Sequence, residues 1–396
     1  MAGNLDPPPA QERRDLAEFL IVTVAGLGLT VTVLFFSLSI LGKLPGSRDF
    51  VSFWATGQQL VHHANPYDRD AISTLEHAQG LDVRAVLIMR NPPWAWPLVY
   101  PLGFLSLRVA AILWSLLLFA CLLLSVRIVR QLYGSPSNRL HWLALAFTPA
   151  LICLTMGQTA LFALLGLVLF LRWHQHRPWL AGAALWLCAL KPHLFLPFAA
   201  ALVAWVLVSP LFTRAWQVAA GAAAALALSS AVASLIDPHA WLDYTRLMRS
   251  PAVENEFIPC LSSAIRQWID QWFGVRATWL QYLPAALCCL WALVYFWRRR
   301  ATWDWKTHGS LLMLVSLVAA PYCWFYDQCL AIPALLQGAY ATRSRNLIAV
   351  LALAILVMDI QICVVQVISP LYLWPAPAWL VWYLFARRMP TRGQNL

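Results

Sequence analysis

Residues 109–126 read VAAILWSLLLFACLLLSV, an apolar run without a charged side chain, and the chain then turns basic at Arg127 and Arg130. The hydrocarbon core of a bilayer takes about 20 apolar residues in a helix. Entered through residues 97–108, this run reads as a membrane-spanning helix that ends at a basic margin. Working outward, comparable apolar stretches lie at 19–41, 140–156, 158–173, 178–190, 192–209, 215–236, 279–297, 309–322, 329–341, 347–368 and 371–386. With 97–126 they make twelve crossings. Composition agrees: of 396 residues, 61% are hydrophobic and 11% charged, whereas a soluble domain carries about 25% charge. The chain reads as all-α, a polytopic transmembrane helical bundle. A soluble enzyme, a disordered chain and a disulfide scaffold are excluded, and a membrane barrel would show alternating segments of about ten residues instead.

The net charge of +11 comes from 28 Lys and Arg against 17 Asp and Glu. The basic residues sit in short clusters beside apolar runs (Arg13-Arg14, Arg127 with Arg130, Arg298–Arg300, Arg343 with Arg345, Arg387-Arg388). That is the positive-inside pattern, and it argues for topology and headgroup contact rather than nucleic-acid binding. Residues 19–41 are too long for the h-region of a signal peptide, about 7–15 residues, and read as an uncleaved first helix. The organisation that follows is a cytoplasmic N-terminus (1–18), a membrane domain (19–386) and a cytoplasmic tail (387–396). Long extracytoplasmic loops fall at about 42–93 and 237–277. Residues 94–108, with Pro97 and Pro101, read either as part of a span or as a re-entrant, interfacial piece. Several apolar stretches are short and broken by Gly or Pro, as in helices that line a cavity. Among nine cysteines there is no C-x-x-C pair. Only Cys260 lies well inside a polar loop, and a disulfide there needs Cys323 or Cys329.

The polar groups of interest gather at the outer ends of the apolar runs. Asp49, beside Arg48, follows the first run and reads either as a solvated loop start or as a general base at the membrane surface. Phe53–Gly57 and then Asn65-Pro66-Tyr67-Asp68 read as a short interfacial helix and a turn. His62, His63, Asp68 and Asp70 match no zinc spacing. Lys191, followed by Pro192 and His193, ends a short apolar stretch. It either snorkels to the headgroups or faces a lipid phosphate, with His193 beside it. Gly157-Gln158 makes a second outer turn with a side-chain amide. Tyr326-Asp327 sits at another boundary, and Leu261-Ser262-Ser263 reads as a Ser-capped helix start. Asp359 alone lies mid-run, paired with an Arg or neutral.

Taken in order, Arg48–Gly57, Asn65–Asp68, Asn91-Pro92-Pro93, Gly157-Gln158, Ala181-Gly182 leading to Lys191-Pro192, Leu261-Ser262 and Tyr326-Asp327 resemble the pattern of glycosyltransferase family 87. That family is the polyprenol-phosphate-mannose-dependent group of GT-C architecture, and the likeness runs from about residue 45 to 340. The resemblance implies a multi-pass enzyme of a prokaryotic inner membrane with its active site outside. It places the catalytic base on Asp49 and the donor phosphate against Lys191, Gln158 and His193. Arg48, Tyr67, Asp68, Tyr326 and Asp327 then line the cavity. The implied partners are a polyprenyl-phosphate sugar, a lipid or glycan hydroxyl acceptor and membrane lipids, with no nucleic acid. No cofactor is required, and a divalent ion has no ligand set in the sequence. Arg90 and Arg266 are further cations for the leaving phosphate. The rival class is a secondary transporter in which Asp359 and Asp327 couple transport to ions.

Overall fold

The computed structural model describes residues 48–80, 86–136, 138–249, 258–275, 277–365 and 368–388. The expected first span, part of the second long loop and both termini lie outside the described residues. Among these residues every regular element is helical. Numbering the α-helices longer than one turn gives α1 (Arg48–Val61), α2 (Arg69–Ala78), α3 (Leu107–Leu132), α4 (Thr148–Met156) and α5 (Ala160–Trp173). Then come α6 (Pro178–Cys188), α7 (Leu196–Val208), α8 (Arg214–Ile236), α9 (Ala240–Met248) and α10 (Leu261–Phe273). The series ends with α11 (Leu283–Arg299), α12 (Trp305–Ala319), α13 (Ile332–Ala341), α14 (Arg345–Val364) and α15 (Pro375–Arg388).

Three of these, α3, α8 and α14, are long and apolar enough to cross a membrane. At 26 residues, α3 is about 39 Å long. It starts at Leu107, later than the span that the sequence suggests. Pro93, Pro97 and Pro101 confine residues 93–104 to single turns of helix, because a proline inside a helix removes a donor and clashes with the preceding turn. These turns stand apart from α3 instead of forming its first part. The apolar stretches at 140–156, 178–190 and 192–209 resolve into shorter helices. Each begins with proline in its first turn, where the missing N–H costs nothing, at Pro149, Pro178 and Pro197.

Burial separates the inner from the outer helices. In α5, Leu161, Phe162, Leu164, Leu167, Val168, Phe170 and Leu171 are all buried, as expected of a helix that is apolar all round and surrounded by others. In α3, Trp114, Leu118 and Leu122 point inward while Leu113, Leu116, Leu117 and Leu124 are exposed. Helix α5 packs on α3 and α6, and α4 packs on the 3-10 segment Phe325–Ala331. That arrangement brings the ends of α4, α6 and the Phe325–Ala331 segment to one place. Helix α1 reaches it by a close backbone crossing with the 3-10 turn Tyr100–Phe104. A Cβ on Gly57 would lie 2.6 Å from the Val99 carbonyl oxygen, and one on Gly103 would overlap the Gly57 carbonyl. The crossing is locked by Trp54 Nε1 donating to Leu105 O at 2.9 Å and Gln58 Nε2 donating to Gly103 O at 2.8 Å.

Candidate active site

Asp49 occupies the first turn of α1, where the unpaired N–H groups and the helix dipole favour a carboxylate. Arg48 opens the same helix. Opposite, α4 ends at Gly157, which has φ +72°. A side chain there would be strained, and its Cβ would fall 2.7 Å from Phe50 Cβ. Glycine thus lets the turn close onto the residue next to Asp49, and Trp114 Nε1 fixes it by donating to Gly157 O at 2.7 Å. The next residue, Gln158, consequently meets Asp49, with Nε2 donating to Asp49 Oδ2 at 2.9 Å.

Lys191 enters from the turn between α6 and α7. Its ammonium donates to Gln158 Oε1 at 3.0 Å and to Asp327 Oδ1 at 2.6 Å, and it lies 4.8 Å from the centre of the Tyr326 ring. The Lys191 side chain is 9% exposed and that of Asp327 not at all. Burial works against the charged lysine, but the Asp327 carboxylate outweighs it and holds the ammonium above its ordinary pKa. Asp327 Oδ2 in turn accepts from the Trp324 backbone N–H at 2.9 Å. Asp49, Gln158, Lys191 and Asp327, far apart in sequence, thus form one hydrogen-bonded line. Within it Lys191 lies between Gln158 and Asp327, and Gln158 between Lys191 and Asp49.

The turn carrying Lys191 is clamped from the Pro-rich segment. Asn91 Nδ2 donates to Leu190 O at 2.8 Å and Trp94 Nε1 to Ala189 O at 2.9 Å, while Trp186 Nε1 donates back to Trp94 O at 3.1 Å. The Asn91-Pro92-Pro93-Trp94 motif therefore has a mechanical role that its sequence does not announce. His193 packs edge-on against Tyr322, ring centres 5.4 Å apart. Its Nε2 is buried and has no hydrogen-bond partner among the described residues.

Other sequence candidates fall elsewhere. Asp68 is exposed and caps α2, accepting from the Asp70 and Ala71 N–H groups. Tyr67 is buried between Trp96 and Tyr244, at 6.0 and 6.1 Å. Helix α10 has Cys260, not serine, at its N-cap, and Ser262 Oγ donates across to Ala319 O at 3.2 Å. Cys260, Cys323 and Cys329 are free thiols, so the disulfide does not form. Asp359 is buried in α14 and accepts from Thr148 Oγ1, a hydroxyl where an Arg was the alternative. Among the described residues, no three His, Cys, Asp or Glu side chains gather as a metal ion needs.

A family model for glycosyltransferase family 87 matches residues 90–321, more than half of the chain. Asn91, Gln158, Lys191 and His193 fall inside the match, whereas Asp49, Tyr326 and Asp327 lie outside it. No curated protein and no solved structure matches the chain.

Proposed function

Because the chain belongs to glycosyltransferase family 87, we propose that it transfers a hexosyl unit, with mannose the first candidate, from a polyprenyl phosphate to a hydroxyl acceptor, a lipid or glycan. The observation that carries the assignment is the hydrogen-bonded line from Asp49 to Asp327. It joins an acid from the first loop to Gln158 and Lys191 inside the matched stretch. In this reading Asp49 is the general base. It takes the proton of the acceptor hydroxyl as the oxygen bonds to the anomeric carbon from the face opposite the phosphate. The carbon–oxygen bond to phosphate breaks, and polyprenyl phosphate departs with the electron pair, which inverts the anomeric centre. A positioned base is worth about 10²–10⁴-fold in rate.

The leaving phosphate needs positive charge nearby. Lys191 has its charge balanced by Asp327, so we assign that charge to Arg90, which is exposed next to the clamping Asn91. The polyprenyl chain lies along exposed apolar faces such as that of α3, within the twelve-helix GT-C arrangement. The site faces the outer leaflet of a prokaryotic inner membrane, with both termini cytoplasmic. No metal step is invoked.

The test is transfer from radiolabelled polyprenyl-phosphate mannose by membranes containing wild type or Asp49→Asn at matched expression. Transfer by the wild type and a loss of at least 100-fold in the variant support the assignment. Equal transfer by both removes Asp49 from the chemistry, and no transfer with any polyprenyl-phosphate sugar removes the enzyme class.

A further inference from the structure

The donors and acceptors along the line can be arranged in only one way. An ammonium has hydrogens to give and no lone pair, and an ionised carboxylate only accepts. Lys191 gives one N–H to Asp327 and one to Gln158. The Gln158 atom facing Lys191 must therefore be its carbonyl oxygen, and the amide nitrogen is turned by necessity toward Asp49 Oδ2. Without Lys191 the amide could flip and present its oxygen to the carboxylate, a repulsive contact. Asp327 is anchored in its turn by the Trp324 main chain, and Asn91 and Trp94 hold the Lys191 turn by its carbonyls.

From this geometry, and resting on the transferase reading above, we infer that Asp327, Lys191 and Gln158 are positioning residues that set the orientation of the Asp49 carboxylate, and that Lys191 does not bind the donor phosphate. Lys191 acts on the base through Gln158. Its charge is already balanced by a carboxylate at 2.6 Å, and its remaining face is covered by the Tyr326 ring. Among the described residues, Gln158 donates to Asp49 and the Tyr326 phenol feels its charge. Lys191 and Asp327 stand behind Gln158. A hydrogen bond to the ionised form keeps a carboxylate ionised to lower pH. Removing the Gln158 N–H, or the lysine that aims it, moves the acid limb of the rate profile upward.

The experiment compares wild type, Gln158→Leu and Lys191→Met, each purified into nanodiscs and normalised to monodisperse protein. Three quantities are read: kcat/KM against pH, the KM for the polyprenyl-phosphate sugar, and direct binding of undecaprenyl phosphate. The expected result is an acid limb raised by about one pH unit in both variants, with kcat reduced about 10- to 100-fold. Donor KM and undecaprenyl phosphate affinity stay within about threefold of wild type. A variant that is merely less well folded loses amplitude but keeps the position of the limb, and that outcome overturns the relay. A tenfold or greater loss of undecaprenyl phosphate binding in Lys191→Met, with the limb unmoved, overturns it in favour of a phosphate ligand. The same shift is read without substrate from the Asp49 carboxyl band, as the infrared difference between wild type and Asp49→Asn, titrated with and without Gln158→Leu. A wild type inactive on every donor therefore fails the transferase reading alone, and the infrared titration still decides the relay.

Discussion

Replacing Asp327 by Asn removes one charge from the buried pair and one of the two acceptors there. The side chains are nearly isosteric, so no cavity opens, and the single Asn oxygen can accept from the Trp324 N–H or from Lys191 but not from both. What remains is an ammonium 9% exposed with a neutral amide where its counter-ion stood. Removing one partner of a buried ion pair costs about 3–5 kcal/mol, because the other charge is left uncompensated. At about 2 °C per kcal/mol, the lower end for larger domains, the apparent Tm should fall by roughly 6–10 °C. The assay is a thermal scan of purified protein in one detergent at one scan rate, since membrane-protein unfolding is seldom reversible. The double variant Lys191→Met/Asp327→Asn should regain at least half of the loss, because it buries no lone charge. An Asp327→Asn protein that melts within about 2 °C of wild type, or a double variant less stable than the single, would refute the argument that Asp327 is the counter-ion of Lys191.

Three further outcomes follow from the geometry. Gly157→Ala meets both a left-handed backbone and a Cβ 2.7 Å from Phe50. It should cost about 1–3 kcal/mol and lower transfer more than tenfold, read from the melt and the radiolabel assay together. Asn91→Ala frees the buried Leu190 carbonyl and should cost about 1–3 kcal/mol, visible as a lower Tm accompanied by reduced kcat. Asp359→Asn keeps an acceptor for Thr148 and touches nothing on the Asp49 line, so transfer should stay within about twofold, whereas ion-coupled transport would be abolished.

Much of the site is visible in the sequence because polar and charged groups are costly near lipid. Gln158, Lys191 and Asp327 stand at the ends of apolar runs, and Asp49 stands out as an acid in the segment that follows the first run. What the sequence cannot supply is the pairing. Lys191 beside a Pro reads equally as a snorkelling cation and as a phosphate ligand, and only the approach of a turn 136 residues away shows where its charge is met. Asn91 was legible as part of a motif but not as a clamp, since its acceptor is a main-chain carbonyl, which any sequence offers. For Asp68 the local pattern does not announce the helix cap that it makes. On the scale of the fold, apolar runs identify helices reliably but not their ends. Pro97 and Pro101 delay α3, and a fully buried helix such as α5 has the same composition as one that faces lipid.

The crossing of α1 over the Tyr100–Phe104 turn has a practical consequence for mutational scanning. Gly57 and Gly103 bear no chemistry, yet neither has room for a methyl group, because each faces the other's backbone. In an activity screen both positions should appear as intolerant as Asp49, and a map coloured by lost function would mark them as part of the active centre. Measuring protein abundance alongside activity separates the two kinds of loss: substitutions at the crossing deplete the protein, whereas substitutions at the acid leave it present and silent. The first loop is then best pictured as a bolted hinge-plate that carries the base, so that motions admitting two substrates have to arise in other parts of the molecule.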